Sequence, residues 1–117
     1  MSAYLKKFDD IPTYSDPGSQ NQTCRDIVPR GIVPGISVGY NTLEGPGRTG
    51  LHHHAREHQV FVVVQGRGTL LRGEERIPIQ ASCAVYIPPN TDHDVLVAPG
   101  ERIEYVYLTR DLSEEPL

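Results

Sequence analysis

His52-His53-His54-Ala55-Arg56-Glu57-His58-Gln59 runs directly into Val60-Phe61-Val62-Val63-Val64-Gln65-Gly66. The first half holds four of the chain's five histidines. The second is β-branched or aromatic at five consecutive positions, the composition of a strand. The fifth histidine, His93, follows Ile87-Pro88-Pro89-Asn90-Thr91-Asp92, an apolar end stopped by a double proline. Neutral imidazole is a common ligand of first-row metals. Histidines clustered twice, each time beside a strand, therefore point to a metal site on a β scaffold. Side chains two apart on a strand share a face, so His52 and His54 point one way and His53 the other.

Outward from this stretch the chain reads as short strands separated by Gly/Pro turns. Strands are predicted over 36–43, 59–65, 69–71, 76–79, 84–87, 94–97 and 102–109, with Gly66-Arg67-Gly68 breaking the strongest one. Gly73-Glu74-Glu75 marks a hairpin tip, and Pro78 pushes its strand toward a sheet edge. In 102–109, Ile103, Tyr105 and Tyr107 share one face, and Glu104, Val106 and Leu108 the other. No segment has a capped helical period. The pattern is an all-β sandwich or barrel with little or no helix. Residues 1–35 read as an N-terminal arm with edge strands, one near 4–8 and one near 24–28. Residues 36–110 form the barrel, and 111–117 a frayed acidic tail.

A chain of 117 residues with 38% hydrophobic and 22% charged content makes one globular domain. Its net charge of -4 and scattered basic residues exclude a nucleic-acid footprint, which needs a concentrated Lys/Arg face. No apolar run approaches the roughly 20 residues that span a bilayer, and the N-terminus lacks a signal-peptide core, so the expectation is a cytoplasmic protein without membrane contact. Cys24 and Cys83 form no disulfide framework and no paired metal spacing. Cys83 reads as a small buried hydrophobe.

His52-x-His54, four residues, Gln59, six residues, Gly66 resembles the first signature of the cupin superfamily, in which a glutamate occupies the third ligand position. Residues 82–93, ending in Pro88-Pro89-Asn90-Thr91-Asp92-His93, resemble the second. Gln59 stands for the usual glutamate, Ser82-Cys83 where Gly-Asp is common, and Val97 where Asn is common. The resemblance implies a double-stranded β-helix, the jelly-roll barrel. It implies one divalent transition metal (Zn, Mn, Fe or Ni) held by His52, His54, Gln59 and His93. His58 competes with Gln59, but strand parity keeps both from pointing inward.

Glu104, Tyr86 and Arg48 are candidate catalytic residues, although a solvated carboxylate, a packed aromatic and a surface arginine are the commoner roles of such side chains. Arg48 and Arg56 are expected to flank the mouth, and Glu57 to be a solvated loop residue. The two-sided apolar run 60–64 implies a homodimer covering its outer face. The function implied is a mononuclear metalloenzyme acting on a small oxygenated substrate: a sugar acid, enol or diketone. Isomerisation, ring opening, cyclisation or dioxygenation would all suit such a centre. Two alternatives stand beside it: a non-catalytic small-ligand or metal-binding module, and a metal-free sugar epimerase-type cupin.

Overall fold

The computed structural model describes residues 5–114. Its strands are β1 (Thr13–Tyr14), β2 (Gln20–Val33), β3 (Ile36–Arg48), β4 (Glu57–Arg72), β5 (Glu75–Gln80), β6 (Ala84–Ile87), β7 (His93–Val97) and β8 (Arg102–Asp111). The described residues contain no α-helix, only 3₁₀ turns at Phe8–Asp10 and Leu112–Glu114. None of their helices is long and apolar enough to cross a membrane. The all-β jelly-roll expectation is met.

Two long strands change partners midway, and this closes the barrel. The first half of β4 pairs with β8 and β6, and the second half with β7 and β5. Likewise β3 pairs with β8 over Ile36–Glu44 and with β7 at Gly47 and Arg48, while β2 runs along its other edge. The ring β3–β8–β4–β7 returns to β3. Each change of partner falls at a glycine. Gly66 has φ +81°, and a Cβ there would sit 1.8 Å from the Arg102 carbonyl oxygen. A Cβ on Gly45 would sit 1.6 Å from that of Ala98. Gly66 thus turns β4 through a corner, with a register shift at Val63/Gln65, rather than ending it.

Inward positions alternate as the pleat requires: Phe61 and Val63 of β4, Val95 and Val97 of β7, Ile103 and Tyr105 of β8. Leu43, Leu70, Ile79 and Ile87 complete the core. The hairpin at 73–74 forms, and β5 with Pro78 lies at the end of the sheet order.

The N-terminal third departs from expectation. Rather than a short edge strand, β2 is 14 residues long and pairs with β3 almost throughout. The turn residues around Pro29 and Gly31 had suggested an earlier stop, but pairing with β3 overrides them. The strand expected near 4–8 is not formed: Phe8 begins a 3₁₀ turn, and Tyr4 lies outside the described residues. At the other end, Asp111 still pairs with Glu57, and the Leu112 amide donates to the Arg56 carbonyl. The chain is therefore anchored through 112, and residues 115–117 lie outside the described part.

Candidate metal centre

The loop between β3 and β4 carries His52 back across the barrel to β7. His52 and His93 exchange backbone hydrogen bonds, 3.1 Å from the His52 amide and 2.8 Å from the His93 amide. The loop's start is tied to Asp94, which is fully buried. Asp94 accepts from the Arg48 guanidinium, from the Thr49 hydroxyl at 3.0 Å and from the Gly50 amide at 3.0 Å. Arg48 is thereby committed to fixing the loop that delivers His52.

His52, His54 and His93 each place one ring nitrogen within 4.8 Å of the others. Hydrogen bonds set which nitrogen is available. A carbonyl oxygen only accepts, so His52 Nδ1 donates to Gly50 at 2.6 Å and His93 Nδ1 donates to Thr91 at 2.8 Å. That fixes the tautomer and leaves both Nε2 lone pairs free, an arrangement common to histidine metal ligands. His54 Nδ1 lies 3.4 Å from Glu57 Oε1. Burial holds the His93 imidazole down to about 4, and burial likewise lowers His54. Both rings are therefore neutral, ligand-competent imidazoles at neutral pH.

His53 points away and pairs with Asp92 at 2.9 Å, as alternation predicts. Gln59 faces inward, 7% exposed, and its Nε2 donates to the Thr109 hydroxyl at 3.1 Å. His58 faces outward, stacked on Tyr86, with Nδ1 2.6 Å from the Tyr86 hydroxyl. His93 Nε2 and Gln59 Oε1 are buried without a hydrogen-bond partner. An unpartnered buried acceptor carries a desolvation cost, and a cation held between the three rings would satisfy His93 Nε2. The residues fit a metal on this observation.

A cavity of about 760 Å³, lined in part by His52, His54 and Gln59, opens beside them. None of the three candidate catalytic residues lines it. Glu104 is on the outer face of β8, its carboxylate reached by Thr42 and Arg102. Tyr86 is on the outer face of β6 with His58. Arg48 is bound to Asp94. Strand parity excludes the first two from the interior, and Asp94 occupies the third. Arg56 does not line the cavity either, and donates to the Leu112 carbonyl. Glu57 is no solvated loop residue. It begins β4, its side chain is 13% exposed, and it holds Arg30 at 2.9 Å.

Part of the remaining lining comes from the segment read as an arm, including Tyr14, Asp16, Gln22, Asp26 and Arg30. The alternation Gln22-x-Cys24-x-Asp26 was the signal for an inward face there. Tyr107 reaches the cavity over Gly39, where a Cβ would sit 2.2 Å from the tyrosine ring. Burial pushes the Tyr107 phenol up to about 12.

Residues 40–109 match the family model described as Cupin domain. The chain is 29% identical over 97 residues to an uncharacterized protein of Methanocaldococcus jannaschii, covering 81% of this chain and 76% of that one. It is 29% identical to auxin-binding protein 1 of Arabidopsis thaliana, covering 97% of this chain but only 60% of that one. Among solved structures it superposes on the polyketide cyclase RemF of Streptomyces resistomycificus with a TM-score of 0.76 and 18% identity. That superposition covers 92% of this chain and 85% of RemF.

Proposed function

The chain belongs to the cupin family, and on that premise we propose that it is a metal-binding cupin acting on a small oxygenated substrate. His52, His54, Gln59 and His93 are the ligands in this reading. The observation that carries it is the pair of buried, unpartnered acceptors, His93 Nε2 and Gln59 Oε1, beside two further histidines. A divalent first-row ion would supply Lewis acidity toward two adjacent substrate oxygens, undiminished by any carboxylate ligand.

The protein's own residues prepare that chemistry. Gly50 and Thr91 hold the His52 and His93 rings, and Thr109 holds the Gln59 amide nitrogen, which leaves its carbonyl oxygen without a partner. Phe61 and Tyr107 give the cavity an aromatic wall. Enolisable ketones and diketones suit this arrangement, and the likeness to a polyketide cyclase is in keeping with it. The reaction class is isomerisation, ring opening, cyclisation or dioxygenation.

The acting unit in this reading is a cytoplasmic homodimer. Its interface is the outer face of β4, β6 and β8, where Val62 and Val64 are exposed beside Tyr86 and Leu108.

A second reading, ligand binding without turnover, draws on the likeness to an auxin-binding protein. The two are separated by a panel of diketones and uronates offered to zinc-, manganese-, iron- and nickel-loaded protein, with oxygen uptake and product followed. Turnover abolished by chelator is the expected result. Binding without turnover under every metal would establish the second reading instead.

A further inference from the structure

The cavity wall contributed by β1, the β1–β2 turn and β2 is rich in hydrogen-bond acceptors. Asp26 Oδ1 accepts from the Tyr14 hydroxyl at 2.7 Å, and Asp16 Oδ2 lies 3.9 Å from Cys24 Sγ, a weak donor. Most of the lone pairs of these two carboxylates stay available. Asn41 adds a third acceptor: its Nδ2 donates to the Tyr105 hydroxyl at 2.9 Å, and its buried Oδ1 has no partner. Neither aspartate is paired with a cation among the described residues. Arg30 is the one Lys or Arg among the described lining residues, and Glu57 at 2.9 Å and Asp111 at 3.1 Å already hold it. Between this wall and the histidines lie the rings of Phe61, Tyr105 and Tyr107, the first two 4.9 Å apart between centroids. The same negative field is felt by neighbours. Burial, then Asp16, pushes the Cys24 thiol up to about 12, and Asp26 and Asp16 add to the rise at Tyr107.

An anionic group entering here meets two carboxylates and no free cation, whereas a hydroxyl meets three acceptors. We propose that Asp16 and Asp26 select the ligand by charge. The cavity takes an uncharged, ring-containing, hydroxyl-bearing molecule that offers two adjacent oxygens at the histidine end. It rejects molecules with a carboxylate at the far end, sugar acids among them. This rests on the metal reading above and narrows it to phenolic or hydroxylated ketone substrates.

Kojic acid and comenic acid test it. Both are hydroxypyranones that chelate through the same two oxygens, and they differ in a hydroxymethyl group against a carboxylate at the far end. Their dissociation constants are measured by calorimetry on zinc-loaded wild type, Asp16→Asn, Asp26→Asn and the double variant, all near-isosteric changes. Charges several ångströms apart at a partly solvated site differ enough for a roughly tenfold or greater preference for kojic acid. The double variant should bring the ratio close to one by strengthening comenic acid. Equal binding by wild type, binding of neither while zinc is held, or an unchanged ratio in the double variant overturns the inference. If zinc is not held, the metal reading fails on its own. Charge selection is then read by NMR titration of para-hydroxybenzyl alcohol against para-hydroxybenzoate, which need no metal. A preference for the alcohol sustains the inference, and none overturns it.

Discussion

At position 59 the chain carries an amide where the cupin signature carries a carboxylate, and the neighbouring His58 competes for the place. The pleat separates them: Gln59 is buried and lines the same cavity as His52 and His54, while His58 stacks on Tyr86 outside. Gln59→Glu should therefore bind zinc more tightly in a competition titration, because it adds opposite charge at the same reach. Gln59→Ala should lose about tenfold or more, and His58→Ala should change little. Zinc lost from His58→Ala and kept by Gln59→Ala would reverse the assignment.

The same residues give the metal-free protein a pH dependence. Above pH 6.5, the ordinary histidine value, His93 is neutral whether folded or unfolded. Between 6.5 and about 4 the unfolded chain takes up a proton that the buried ring refuses. Unfolding is then favoured, and stability falls as pH falls through this window. Thermal unfolding of chelator-treated protein should show a lower midpoint at pH 5 than at pH 7, and His93→Gln should flatten the difference.

At the scale of elements, the corners matter most. Gly66→Ala places a methyl group against the Arg102 carbonyl at a positive φ, in backbone that cannot yield. It should cost about 2–4 kcal/mol in denaturant unfolding. Gly73→Ala, also at positive φ but facing open space, should cost only about 1 kcal/mol. Equal costs would show that β4 does not turn on Gly66.

These corners explain what the sequence could reveal and what it could not. The valine run, the histidine spacing and the Pro-Pro stop are local patterns, so β4, β6, β7 and the convergence of three histidines were legible. A glycine that bends a strand reads like one that ends it, because the difference lies in which strands pair on either side. Tolerance of Pro29 and Gly31 within β2 likewise depends on pairing with β3. The acceptor-rich wall was missed for that reason: Asp16 and Asp26 gain meaning only once β2 is a cavity wall rather than an arm.

The whole molecule presents an apolar outer surface opposite the cavity lining of β4. Val60 is in register with Tyr86 and Leu108, and Val62 with Ala84 and Val106. A second copy would cover this patch. Light scattering should give a dimer mass at micromolar concentration, and Val62→Lys should give a monomer with unchanged circular dichroism. A monomeric wild type would end the dimer proposal.

The central claim is the metal itself, and elemental analysis of protein purified without a histidine tag tests it most directly. The account predicts close to one divalent first-row ion per chain in wild type and a near-total loss in His93→Ala. It would be contradicted by wild type that carries only trace metal and takes up no zinc in calorimetry, or by His93→Ala retaining the full complement.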